Sequence, residues 1–307
     1  MVSQLKKYLF ILITLVLFND NLNATHARAL DLYYECVGVD SFMFYVKFYR
    51  DCSSGFTQPN SMTVTFSSAT CTNFTRTLST RTGPIEVSQL CQTAISQSTC
   101  NGSNTYPGTS EYIYSGLVVM TQNCNDWTVS TSQCCRNGAI TNLTIANTHD
   151  IYSEVFFDNL TVPCNNSPQY SNIPSLYGCV GQKLCFNHGA TDVDLDSLSF
   201  NLITTRGDFG NNMNFATGLS LANPVQTSTP FQFDSLTGQL CFTPSSTQYD
   251  VLTIETHEWR KIGGVYTHVG SSTRDVQIII LASCGSLPPG TITESITVNS
   301  GNQIDSI

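Results

Sequence analysis

Thirteen cysteines in 307 residues, with no Cys-x-x-Cys spacing among them, constrain this chain more than any other feature. Zinc ribbons and thioredoxin-like redox sites need that spacing, so neither explains the sulfur content. Disulfide bonds formed in an oxidising compartment do. Nine cysteines stand at or before position 164 (36, 52, 71, 91, 100, 124, 134, 135, 164), and four beyond it (179, 185, 241, 284). Two pairings are expected: Cys91–Cys100, and Cys185–Cys241 across two predicted strands. The odd total leaves at least one thiol unpaired or intermolecular.

The N-terminus agrees with export. Lys6 and Lys7 precede an apolar run from Tyr8 to Phe18. Eleven helical residues span about 16 Å, about half a bilayer core, so the run reads as a signal-peptide core rather than an anchor. Cleavage is expected after Ala24, which makes residues 1–24 a signal peptide. No later segment has 18 uninterrupted apolar residues, so an integral membrane protein is not expected. A net charge of −9, with 13 Lys+Arg against 22 Asp+Glu, argues against nucleic acid as a partner, since phosphate binding needs clustered cations.

Periodicity points to strands throughout. Phe42, Phe44, Val46 and Phe48 share one face of an alternating run, as do Met62, Val64 and Phe66. Tyr112 to Met120 and Ile151 to Leu160 read as further strands, and Val276 to Leu281 as a central one. Only Ile85 to Ser98 leaves room for a short helix. With 41% hydrophobic and 11% charged residues the chain can build a core. The polar stretch Pro163 to Pro168 reads as a connector, and Gly285-Ser286-Leu287-Pro288-Pro289-Gly290 as a linker. The expected architecture is all-β: two β-sandwich domains stapled by disulfides, a Cys-rich one over 25–163 and a second over 164–284, for which the motifs below imply an Ig-like or cadherin-like form. Residues 285–307 form a linker or truncated tail.

The sharpest chemical constellation is Ala190-Thr191-Asp192-Val193-Asp194-Leu195-Asp196. In an extended segment the three carboxylates point to one side, where they repel unless a cation sits among them. Ca²⁺, which takes six to eight hard oxygen ligands, suits them. With Asn165-Asn166-Ser167-Pro168 upstream and Asp234-Ser235-Leu236-Thr237-Gly238-Gln239-Leu240-Cys241-Phe242-Thr243-Pro244 downstream, residues 165–284 resemble a cadherin-like or Ig-like repeat. The resemblance implies Ca²⁺ held by Asp192 and Asp194, with Asp196, Asn165 and Asn166 as contributors, and stiffening of the interdomain junction. Such repeats usually place Gly where Leu195 stands, and Leu tolerates positive φ poorly, so a different loop is expected here.

The whole chain also resembles gliding-motility-associated surface proteins of bacteria that use type IX secretion. The matching stretches are Thr25-His26, Tyr34-Glu35-Cys36-Val37-Gly38, Phe48-Tyr49-Arg50-Asp51-Cys52, Cys134 to Leu143, and Asn187-His188-Gly189-Ala190. It departs from that group at Ala27-Arg28-Ala29-Leu30, where Gly-Gly usually follows Thr-His. The resemblance implies secretion and display at the extracellular cell surface.

Enzyme signatures are missing: there is no Gly-x-Ser-x-Gly, no His-Glu-x-x-His and no phosphate loop. Glu255 and Glu258 form a nominal carboxylate pair, His188 lies beside the Asp cluster, and Arg206-Gly207-Asp208 is an RGD tripeptide. Edge-strand residues, a packing histidine and a Gly-containing turn account for these more simply. Sequons occur at Asn73, Asn101, Asn142, Asn159 and Asn165. The function expected is a non-catalytic adhesion or scaffold segment whose partners are surface polymers or neighbouring modules. The alternative is a carbohydrate-binding module that stacks some of its 30 Tyr and Phe rings on a glycan.

Overall fold

The computed structural model describes residues 27–53, 57–90, 94–103 and 105–284. The predicted signal peptide, the Cys91 half of one predicted disulfide and the tail from 285 lie outside the described residues. The first half contributes β1 (Ala27–Gly38), β2 (Ser41–Asp51), β3 (Met62–Ser67), β4 (Phe74–Leu78), β5 (Thr80–Glu86), β6 (Thr109–Val119), β7 (Trp127–Gln133) and β8 (Ile151–Phe157). The second contributes β9 (Gln169–Tyr170), β10 (Ser175–Cys179), β11 (Leu184–Phe186), β12 (Ala190–Thr191), β13 (Ser197–Ile203), β14 (Gln232–Phe233), β15 (Leu240–Phe242), β16 (Gln248–Ile262) and β17 (Val265–Leu281). No α-helix occurs among the described residues.

The alternation seen in the sequence is the burial pattern. Phe42, Phe44, Val46 and Phe48 of β2 are fully buried, and so are Val64 and Phe66 of β3. They join Tyr34, Trp127, Val155 and Phe157 in one core, with edge-to-face and tilted ring contacts such as Phe44–Phe66 at 5.0 Å and Tyr34–Phe157 at 5.0 Å. The strands around this core follow one path, β4-β3-β7-β8-β17-β1-β2-β6-β5. The sheet curls until β4 approaches β6, closely enough that a Cβ at Gly116 would meet Leu78 Cδ2 at 3.0 Å. Glycine at 116 allows that approach.

Two separate sandwiches were expected. The structure instead has one continuous, nearly closed, barrel-like sheet, because the seventeen-residue β17 serves both halves. Along one edge β17 pairs with β16 from Ile262↔Val265 to Gln248↔Ile280. Along the other it meets β8 at Gly270–Ser272, β1 at Arg274 and, in parallel, β10 at Gln277–Leu281. A second core of Leu176, Leu184, Phe186, Leu240, Phe242, Leu252, Val276, Ile278 and Ile280 lies around its C-terminal end.

Buried arginines lock the halves together. Arg274 grips Asp31 through two bonds, 3.0 and 3.1 Å. Arg136 pairs with Asp275 at 2.6 Å, and Arg28 pairs with Asp51 at 3.0 Å while donating to Tyr177 Oη at 2.9 Å. The polar connector after Pro163 is no loose linker. Cys164 is bonded to Cys36, Asn166 Oδ1 accepts from Cys36 N at 2.9 Å, and Ser167 N donates to Tyr34 O at 3.1 Å. The connector is laid along β1 because its side chains satisfy backbone groups that β1 would otherwise leave bare.

Among the described residues six disulfides form: Cys36–Cys164, Cys52–Cys100, Cys71–Cys124, Cys134–Cys135, Cys179–Cys284 and Cys185–Cys241. This chemistry belongs to an oxidising environment. The predicted Cys185–Cys241 bridge is present, between directly opposed residues of β11 and β15. Cys91–Cys100 is corrected: Cys100 joins Cys52, because Asp51↔Thr109 pairing of β2 with β6 brings Cys52 beside the turn that carries Cys100. Of the short helix for which Ile85–Ser98 leaves room, the described residues hold a 3₁₀ turn at Ile95–Gln97, after the end of β5. No helix among the described residues is long and apolar enough to cross a membrane.

Candidate functional site

The acidic segment sits where β12 pairs with β9, a contact that sets the loop 192–196 against the connector. Leu195 adopts φ +64° and is exposed, so the left-handed turn normally given to Gly is made here by Leu. The loop expected to differ therefore keeps that conformation, at the steric cost of a Cβ. Asp192 Oδ1 accepts the Asp196 amide at 2.9 Å and closes the turn.

At its centre is a cation, supplied by the protein. Arg260, near the end of β16, donates to Asp196 through Nε at 2.8 Å and Nη2 at 2.7 Å. The same Nη2 lies 3.2 Å from Asp194 Oδ2 and donates to Asn165 Oδ1 at 2.6 Å. Asn166 holds Asp194 from the other side, with its amide at 2.7 Å and Nδ2 at 3.0 Å. Asn165, fully buried, passes its own Nδ2 to Tyr34 Oη at 3.0 Å and Glu258 Oε1 at 3.1 Å. Asp196 carries the guanidinium above its ordinary pKa.

One guanidinium does not balance four carboxyl groups. Asp192 Oδ2 and Glu258 Oε2 are buried and find no donor among the described residues. Asp192, Asp196 and Glu258 can each turn an oxygen to within 4.8 Å of the other two. Burial first, then the Asp192 charge, push Glu258 well above the usual carboxylate range. Burial likewise raises Asp192. Two adjacent carboxyls with no donor between them need a shared proton or a cation.

All five predicted ligands, Asp192, Asp194, Asp196, Asn165 and Asn166, are thus gathered in one place, but not around one open point. Asp194, Asn165 and Asn166 are engaged by Arg260 and by one another. Asp192 and Asp196 face Glu258, which sequence reasoning missed. Its signal was available: from Ile254 on, the even positions Ile254, Thr256 and Glu258 of β16 are buried and Glu255 and His257 are not, so a glutamate falls on the core face. Glu255 takes the opposite face and bonds His257, so Glu255 and Glu258 do not flank a common substrate position. His188 is fully buried against Phe186, ring centroids 5.0 Å apart, and burial depresses its pKa. In the RGD tripeptide Arg206 bonds Glu154, while Asp208 accepts from the Asp150 amide at 2.7 Å. Of the sequons, Asn142, Asn159 and Asn165 are buried.

A surface cavity of about 450 Å³ opens beside this centre, lined by Glu35, Cys36, Asn166, Gln169, Thr191 and Asp192 among others. Along β1 and β2 from it, Tyr33 and Tyr45 stack on each other at 4.8 Å with Lys47 over the Tyr33 ring. Comparison of the chain with protein-family models, with curated proteins and with solved structures found no match.

Proposed function

We propose that the protein is an exported, non-catalytic adhesion or scaffold segment of a cell surface, of the gliding-motility-associated kind its sequence resembles. One observation carries the reading: buried Arg–Asp pairs and the Cys36–Cys164 bridge hold the two halves as a single rigid unit. A surface spacer needs stiffness, and a disulfide-locked sheet supplies it. The aromatic residues support the same reading, since Tyr34, Phe42, Phe44, Phe48, Phe66, Trp127 and Phe157 fill the first core.

Ca²⁺ would sit against Asp192 and Glu258, whose two buried oxygens have no partner among the described residues, with Asp196, already gripped by Arg260, at its edge, and not at Asn165 and Asn166, whose polar groups are engaged. Scanning calorimetry with Ca²⁺ and with chelator tests this: Ca²⁺ should raise the melting temperature, and Glu258→Gln should abolish the rise. An unchanged melt means that a shared proton serves instead. Surface labelling of intact source cells by antibody, with N-terminal sequencing of the recovered chain, tests export; an unprocessed protein confined to the cytosol would end the proposal. A carbohydrate-binding role is the second reading, favoured by the Tyr33–Tyr45 pair beside the cavity, and a glycan array that registers loss of binding in Tyr33→Ala would select it.

A further inference from the structure

On the face of the β16–β17 hairpin away from the acidic centre, two histidines meet. His257 Nδ1 lies 3.1 Å from His268 Nε2. Their outer nitrogens are already committed. His257 Nε2 lies 3.1 Å from Glu255 Oε2 and 3.1 Å from Asn201 Nδ2, and His268 bonds the backbone of Gly270. A carboxylate there takes an N–H and an amide donor takes a lone pair, so either nitrogen of His257 can carry the proton. The inner nitrogens lie within hydrogen-bond distance and share one proton, and a metal ion can take that proton's place between them.

We infer that His257 and His268 form a binding site for a borderline divalent transition-metal ion such as Zn²⁺, Ni²⁺ or Cu²⁺. Two imidazole nitrogens, each about 2.0–2.1 Å from one ion and 3.1 Å from each other, subtend an angle of about 100°, within the range of tetrahedral and square geometries. Outer N–H groups held by a carboxylate and a backbone acceptor are the orienting arrangement that metal-ligating histidines use. The rings are braced before any ion arrives: His268 stacks on Phe156 at 5.2 Å and 17°, and Trp259 lies 5.3 Å from it. The pair is half-buried, so water completes the coordination shell. The histidines belong to different strands, and a bound ion clips β16 to β17 beyond the β8 pairing at Gly270. Calcium, a hard ion, prefers the oxygen donors on the other face, so the two sites select different metals.

The test is Zn²⁺ titration calorimetry on the disulfide-intact chain in the presence of millimolar Ca²⁺, with His257→Gln and His268→Gln as variants. Saturable binding of one Zn²⁺ is expected, weakened at least about tenfold in each variant. Cu²⁺ should quench the fluorescence of Trp259, and that quench should be lost in the same variants. Should either variant fail to fold, diethyl pyrocarbonate modification of the native chain decides: Zn²⁺ should shield His257 and His268 but not His149. Zn²⁺ binding that is absent, that both substitutions leave unchanged, or that Ca²⁺ displaces would overturn the inference.

Discussion

Asp250 is the most informative residue to change. It lies on β16 opposite Ile278, almost fully buried, with one oxygen accepting from Thr141 Oγ1 at 2.8 Å and the other without a donor among the described residues. Burial raises its pKa from 3.8 to about 7, and the Thr141 bond offsets only part of that. The folded carboxyl therefore holds its proton in a range where the unfolded one has released it. Stability from this residue is fully present below pH 4 and is lost as pH rises through about 7. At about 1.4 kcal/mol per pH unit, the swing is about 4 kcal/mol. Asp250→Asn keeps the shape and the Thr141 bond and cannot ionise. Its amide leaves an N–H unpaired, which costs about 1–3 kcal/mol. Urea unfolding followed by tryptophan fluorescence should show the variant about 2 kcal/mol more stable than wild type at pH 8 and less stable at pH 4, with the curves crossing between. A variant equally destabilised at both pH values would refute the argument, since it would show that Asp250 is charged and useful in the fold.

Two further outcomes follow from the ion pairs and bridges. Arg260→Ala removes the guanidinium shared by Asp194, Asp196 and Asn165, and should cost about 3 kcal/mol in chemical denaturation, less when Ca²⁺ is added. Replacing Cys36 and Cys164 together by Ala opens a loop of 128 residues. Chain entropy alone puts that at about 5 kcal/mol. The measured loss should be smaller, because Cys52–Cys100 and Cys71–Cys124 already shorten the loop.

Period-two alternation made the strands legible, because β2 and β3 each bury one face and expose the other. The Cys185–Cys241 bridge was legible too, since Leu-Cys-Phe occurs in both β11 and β15 and the two align residue by residue. The sharing of β17 was not. Its stretch Ser271–Asp275 is polar and reads as surface, yet it is buried, and the partners that make burial tolerable are remote: Asp31 lies 243 positions from Arg274. A separation of that size leaves no local trace. The acidic loop was visible as a cluster, but Arg260 and Glu258 come to it from another strand, so the cluster's true charge balance was hidden. The connector misled because its Asn and Ser look like solvent-seeking residues when they in fact cap the backbone of β1.

The separation of β17 from its partners along the chain has a consequence for biosynthesis. β17 starts at Val265, long after β1 ends at Gly38 and β8 at Phe157, so on the ribosome both wait with bare hydrogen-bonding edges until it emerges. Until β17 arrives, the nascent chain is an open template for its neighbours, and a holding chaperone is the natural safeguard for that interval.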